Sequence, residues 1–429
     1  MMRYAASTAS LCFAIAFSLW ACVPGAAVGQ ERPGPEALQL TERRVEVDGH
    51  AMRVATAGLE TRRPGEPVVV FENGATAPLD AWDDVPARVA AFAPVVAYDR
   101  STVGQSEWDG EIGTPSHVTA RLWALLHTME VEPPYVLVGW SWGGDLIRYH
   151  AGSHPEDIAG LVHVDPAGHS AAAALAVLRA IGLGEDAYAA DVAGMNGALP
   201  SIPPALQADV KAINQLYGDR TEPEYGPVPP VPTAVLLAGK RRPMSRQEVE
   251  AFGEPPYDMQ VHFQAKLREK IRRLSEWSLS TPEGLLLLVR NSGHAMQSDV
   301  PELVVDAIRR VVIPDPALQL LATIDSDGII VLADAWESLK RRYAAERIDE
   351  SVLNRLGYDL LGQERTREAV AVFELNVREY PNSWNPHDSL GDAYHAAGET
   401  ERAIASYRRS LELNPDSPSA AKLRRLEGR

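Results

Sequence analysis

The stretch Pro134-Tyr-Val-Leu-Val-Gly-Trp-Ser-Trp-Gly-Gly-Asp145 constrains this chain more than any other. Tyr135 to Val138 is an apolar, partly β-branched run entered through two prolines, the pattern of a buried parallel strand. Asp145-Leu-Ile-Arg-Tyr-His150 then continues at helical spacing. Between them lies Gly139-Trp-Ser141-Trp-Gly143, a G-x-S-x-G pattern. In a strand–turn–helix this tight, the serine takes a strained backbone conformation, and no side chain fits two residues before or after it. The turn also sets the hydroxyl over a helix N-terminus, where backbone N–H groups can hold an oxyanion. A glycine-rich turn with an incidental serine would satisfy the five-residue pattern alone. The strand before it, Gly144 after it and the motifs elsewhere make Ser141 the candidate nucleophile.

At 429 residues the chain is long for one domain, and a large domain with a smaller companion is expected. A net charge of −17 argues against nucleic acid and anionic membrane surfaces as partners. The N-terminus reads as an export signal over residues 1–29. Arg3 is its positive region, Leu11 to Trp20 its apolar stretch, and Ala27-Val-Gly29 a cleavage site before Gln30. A rival reading takes Leu19-Trp-Ala-Cys22 as a lipoprotein signal with Cys22 acylated. Both cysteines, Cys12 and Cys22, fall in this segment, which leaves the mature chain without a disulfide framework. No later run approaches the ~20 apolar residues of a membrane span. The mature chain is therefore expected to lack a transmembrane helix and to be periplasmic or secreted.

Arg43 to Val47 and Met52 to Thr56 alternate around Asp48-Gly49, a hairpin signature. Val68 to Phe71 predicts a buried strand, Trp82 to Phe92 a helix, Val95 to Tyr98 a strand and Val118 to Met129 a helix. After the serine turn come a strand over Leu161 to Val164 and a long Ala- and Pro-rich stretch to Pro232. Strands at Val235 to Gly239 and Leu285 to Val289 follow, with helices over Val261 to Trp277 and Val300 to Val312. Alternating apolar strands and helices predict an α/β domain with a mostly parallel sheet.

Five motifs in this order resemble those of bacterial α/β-hydrolases. They are Phe71-Glu-Asn-Gly74, Tyr98-Asp-Arg-Ser-Thr-Val-Gly-Gln-Ser106, Tyr135 to Gly144, Gly160-Leu-Val-His-Val-Asp-Pro166 and Asn291-Ser-Gly-His294. The resemblance covers roughly Thr41 to Ile313. It implies an α/β-hydrolase domain over residues 38–314, with a cap insertion over about 167–232. Family members usually carry His where Trp140 stands, and often His-Gly where Asn73-Gly74 stands, so substrate preference does not carry over.

The tail has a different period. Leu353, Leu356-Gly357, Leu360, Ala369, Phe373 and Pro381 are matched 34 residues on by His387, Leu390-Gly391, Tyr394, Ala403, Tyr407 and Pro415. This resembles two tetratricopeptide repeats over residues 349–420. Two such repeats need neighbours to bury their faces. Residues 315–348 would be a linker and a capping helix, with Trp336 and Leu339 on its apolar face.

A serine needs a base within hydrogen-bond reach. His294 follows an apolar strand in a Ser-Gly-His turn, which would present it beside the elbow. Backbone N–H groups of Trp142 and of Ala75 are the expected oxyanion donors, with Gly74 permitting close approach. The acid that orients the imidazole is less evident. Lys240-Arg-Arg-Pro243 offers no carboxylate, which leaves Asp165 at the end of the preceding strand, with Glu248, Glu254 and Asp258 as competitors. Asp99 is expected to fix its own loop with Arg100, and His163 to be a core residue; His169 has no positional argument. Trp140, Trp142 and the Ala-rich stretch are expected to form an acyl pocket and lid. No metal spacing, P-loop or dinucleotide fingerprint occurs, so neither a metal nor a cofactor is expected. The sequence thus reads as an exported serine hydrolase of small carboxylic esters, with a protein partner for its repeats. A peptidase or amidase on the same machinery, or an inert interaction protein acting through its repeats, is the alternative.

Overall fold

Short, wholly apolar segments form the spine of the larger unit, because residues buried on both faces of a sheet have no polar side to alternate with. The computed structural model describes residues 39–168, 170–198, 203–220, 225–240, 257–281, 284–313, 315–342 and 348–428. The export segment with Cys12 and Cys22, and His169, Glu248 and Glu254, lie outside the described residues. The chain divides into two compact units after Ile313.

In the first unit, β1 (Thr41–Val47) and β2 (His50–Ala57) form an antiparallel hairpin through Asp48 and Gly49, both at positive φ as a two-residue turn demands. Then come β3 (Val68–Glu72), helix α1 (Val85–Val89), β4 (Val95–Tyr98), α2 (Pro115–Thr128), β5 (Tyr135–Trp140) and α3 (Trp142–Ser153). After β6 (Ile158–Val164), the described residues of the cap form helices α4 (Ala171–Ala180), α5 (Glu185–Ala198) and α6 (Pro204–Gly218). The unit closes with β7 (Thr233–Ala238), α7 (Met259–Leu279), β8 (Leu285–Val289), the short α8 (Met296–Asp299) and α9 (Pro301–Val312). The strand order is β1-β2-β4-β3-β5-β6-β7-β8, parallel from β4 to β8. This mostly parallel sheet, with helices on both faces and a helical cap, is the α/β-hydrolase architecture. Its two apolar layers lie on opposite faces, one under α1 and α9, the other under α2 and α3.

One expected helix differs. Trp82 to Phe92 is split into a 3-10 turn at Leu79–Trp82 and the short α1. Pro86 fits only the first turn of a helix, and Asp83 takes a positive φ just before it, so the two pieces cannot join.

The described elements of the second unit are all helices. Helices α10 (Pro316–Asp327) and α11 (Leu332–Arg342) precede two helix pairs, α12 (Glu350–Gly362) with α13 (Thr366–Glu379) and α14 (Trp384–Ala396) with α15 (Thr400–Leu413), and a final α16 (Ser419–Leu426). The small residues of the 34-residue pattern sit at the crossings. A Cβ on Gly357 would lie 2.4 Å from the Phe373 ring, and one on Gly391 would lie 2.4 Å from the Tyr407 ring. Trp336 and Leu339 are buried in the same apolar cluster as Leu353 and Phe373, together with Leu320 and Ile324 of α10.

Candidate active site

Three glycines let the turn after β5 close. A Cβ on Gly139 would lie 2.3 Å from the carbonyl oxygen of Gly143, one on Gly143 would lie 2.2 Å from that of Glu72, and one on Gly144 would lie 2.7 Å from Pro166. Real Cβ atoms do not approach so closely, so the turn is pressed between the end of β3 and the segment after β6. Ser141 takes φ 56°, ψ −118°, a strained conformation for a residue with a side chain, and caps α3. Its backbone is pinned by three hydrogen bonds: its N–H donates to Val164 O at 3.1 Å, and its carbonyl accepts from Ala167 N at 2.9 Å and from Gly144 N at 3.0 Å.

Ser141, His294 and Asp165 are brought together. Adjacent β5 and β6 end side by side, setting Ser141 next to Asp165, and the loop after β8 brings in His294. His294 Nε2 lies 2.9 Å from Ser141 Oγ, and Nδ1 lies 2.6 Å from Asp165 Oδ2. With Nδ1–H donating to the carboxylate, Nε2 is the acceptor that faces the serine. The other Asp165 oxygen accepts from Lys270 Nζ on α7 at 2.9 Å. Burial alone would raise the Asp165 pKa, but the Lys270 charge and then His294 hold the carboxyl far below the usual carboxylate range. Among the competing acids, Asp258 is occupied elsewhere. It caps α7, accepting from the N–H groups of Gln260 and Val261.

The loop after β3 approaches the same serine. A Cβ on Gly74 would stand 3.4 Å from Ser141 Cβ and 3.0 Å from the Trp140 ring. Ala75 follows it directly, and Trp142 is the first residue of α3, so both backbone N–H groups belong to segments that border Ser141. Trp140 is buried in the core, and its indole N–H donates to the His294 carbonyl at 2.8 Å, bracing the histidine loop. Trp142 packs with Ala75, Val118 and Leu146 against Ala171, Leu178, Tyr188, Val210 and Ile213 of the cap.

Beneath this loop lies a buried polar cluster. Arg100 donates to Glu72 Oε1 at 2.7 Å, to Asp209 Oδ2 at 2.6 Å, and to the carbonyl oxygens of Asn73 and Gly74 at 2.8 Å each. Glu72 also accepts from the Tyr98 hydroxyl and lies 3.3 Å from His150 Nε2. Burial opposes ionisation of Glu72, yet His150 and Arg100 keep its pKa below the ordinary value. The expected Asp99–Arg100 pairing is therefore corrected. Asp99 does fix its own loop through Gln105 N, and also Leu79 N, but its nearest cation is Arg53 at 3.6 Å. Arg100 points the other way because Glu72 and Asp209 outcompete it. His163 is buried in β6, edge-on to the Trp277 ring at 4.5 Å, and burial with the nearby Arg148 charge pushes its pKa down to about 3.

Lys270 and Asp209 carry no local sequence signal, and Arg100, although it stands in the Tyr98 to Ser106 motif, carries none that points to its partners. Lys270 sits in an ordinary amphipathic helix pattern, and Asp209 in a cap helix.

Comparison with known proteins agrees with this architecture. A family model described as the alpha/beta hydrolase fold matches residues 67–192, and a TPR repeat model matches residues 391–420. The chain thus consists of an α/β-hydrolase-fold domain and a TPR-like repeat region. An uncharacterized protein of Bacillus subtilis, YqjL, is 30% identical over 99 residues, 23% of this chain and 39% of that protein, so the match spans well under half of that relative. An AB hydrolase superfamily protein of Gibberella zeae is 23% identical over 290 residues, covering 58% of this chain and 87% of that one. Among solved structures, the carboxylesterase CesB of Bacillus subtilis aligns at 16% identity and a TM-score of 0.38, covering 64% of this chain and 92% of its own. Among the described residues no helix is long and apolar enough to cross a membrane, and no cluster of metal-ligating side chains is found.

Proposed function

We propose that the protein is a serine hydrolase that cleaves carboxylic esters through an acyl-enzyme. The observation that carries this reading is the continuous chain from Ser141 Oγ through His294 to Asp165, at 2.9 and 2.6 Å. Ser141 Oγ attacks the ester carbonyl carbon while His294 Nε2 takes its proton. The developing oxyanion is met by the Ala75 and Trp142 N–H groups. The imidazolium then protonates the departing alkoxide, and a water deprotonated by His294 releases the acid. Asp165, held ionised by Lys270, fixes the tautomer with Nε2 free to accept. The amino-terminal apolar stretch supports export, and the helical repeats support docking of a protein partner.

A fluorophosphonate probe and a panel of p-nitrophenyl esters of graded chain length test the reading. Ser141→Ala should abolish labelling and lower kcat on the order of 10⁶-fold, and Asp165→Asn should lower it on the order of 10⁴-fold. Undiminished turnover by Ser141→Ala would sink the serine mechanism.

A further inference from the structure

The buried cluster beneath the serine joins two parts of the fold that the sequence keeps far apart. Asp209 lies on cap helix α6 and is fully buried. One of its oxygens accepts from Arg100 at 2.6 Å and from the backbone N–H of Thr76 at 3.0 Å; the other accepts from the Thr102 hydroxyl at 2.6 Å. Thr76 immediately follows Ala75. It is a β-branched residue at φ 58°, a conformation that persists only where surrounding contacts over-determine it. The Asp209 contact with its N–H is one such restraint, and it comes from the cap.

Arg100 supplies the other. Its guanidinium holds the Gly74 carbonyl oxygen, and that oxygen belongs to the same planar peptide unit as the Ala75 N–H. In a trans peptide the two groups point in opposite directions. Anchoring the oxygen on Arg100 therefore aims the N–H away from Arg100, and a cation on the oxygen polarises the unit and strengthens the N–H as a donor. The guanidinium is itself fixed between Glu72 and Asp209, so its position depends on whether α6 is seated.

We propose that Asp209 and Arg100 are positioning residues for the Ala75 oxyanion donor, so that seating of the cap and readiness of the oxyanion site are one event. The inference rests on the serine-hydrolase reading above. A substrate that displaced α6 without allowing it to return would lose transition-state stabilisation as well as shelter from water. Neither residue touches the reacting atoms; both act through the 74–76 backbone.

The test measures ester turnover and inhibition by an alkyl trifluoromethyl ketone on the full-length protein. Ser141 Oγ adds to the ketone carbon, the hydroxyl proton passes to His294, and the resulting hemiketal oxyanion occupies the same donors as the transition state. In Asp209→Asn, kcat should fall on the order of 10²-fold, the cost of misplacing a catalytic group by about 1 Å. KM should be nearly unchanged, and the ketone Ki should rise by the same factor as kcat falls. A purely structural role would move thermal stability and KM without that parallel loss in ketone affinity, and this result overturns the proposal. Should Asp209→Asn not fold, Arg100→Lys takes the same measurements, since it keeps the charge but loses the fork on the two carbonyls. Failure of both variants to fold marks the cluster as structural and also overturns the proposal. A wild-type protein that neither turns over ester nor binds the ketone removes the serine-hydrolase reading and the proposal with it. A wild type that does both, matched by its Asp209→Asn variant, removes the proposal alone.

Discussion

Both units of this chain use glycine to bring two elements into contact, but they press against different things. At the elbow, Gly139 faces the Gly143 carbonyl and Gly143 faces the Glu72 carbonyl, backbone against backbone. In the repeats, Gly357 and Gly391 face the rings of Phe373 and Tyr407. A ring can tilt or change rotamer, whereas a carbonyl at the end of a central strand is fixed by the sheet on both sides. The elbow therefore tolerates no compromise, and the helix crossings tolerate a little. Buried polar groups occur in both units but in different company. The described core of the sheet unit encloses Glu72, Asp99, Arg100, Asp209, His150 and His163, several of them at the candidate site, while the repeat unit buries Asp388 against Ser419 and Lys422 beside its apolar cluster.

The most severe test of this contrast is Gly143→Ala. The added methyl must push the elbow off β3, so kcat toward p-nitrophenyl esters should drop on the order of 10²-fold or more. Wild-type turnover would show that the elbow can yield, and the contrast would break. Gly391→Ala should be milder, destabilising the repeat unit by about 1–3 kcal/mol through overpacking. It should leave ester turnover untouched; chemical denaturation followed beside activity separates the two effects. The smallest effect concerns acid. The His163 pKa is depressed to about 3 in the folded state. Between its ordinary value and about pH 3 the unfolded chain therefore binds more protons, and stability falls as pH is lowered. His163→Leu should flatten that part of the stability–pH curve for the sheet unit. An unchanged slope would mean that His163 charges without cost.

What was legible in the sequence follows from how local each cause is. Val95 to Tyr98 and Leu285 to Val289 coincide with β4 and β8: β4, buried on both faces, advertises itself as an unbroken apolar run, and edge strand β8 carries such a run although it is only partly buried. The convergence of Ser141 and His294 was legible from glycine-rich turns that follow such strands. That of Asp165 was legible from the rule that consecutive parallel strands pair, which sets its carboxylate beside the serine. The helix over Trp82 to Phe92 was misread because apolar spacing outweighed Pro86. Lys270 and Asp209 could not be read at all. They meet Asp165 and Thr76 across 105 and 133 residues of chain, and only the packing of α6 and α7 decides which side chain arrives. Arg100 was legible as a member of the Tyr98 to Ser106 motif but not in its partners, since Asp99 beside it offered the nearer carboxylate in sequence.

The strand order also has a consequence in time. Among the described residues, His294 follows the last strand of the sheet, β8, whose one strand neighbour is β7. Ser141 leaves the ribosome 153 residues earlier, a lead of roughly 8–30 s at ordinary rates of synthesis. Throughout that interval the nascent chain carries its serine without the imidazole that would activate it. On the serine-hydrolase reading proposed above, Ser141 cannot be acylated with help from His294 until β8 has been made and has docked.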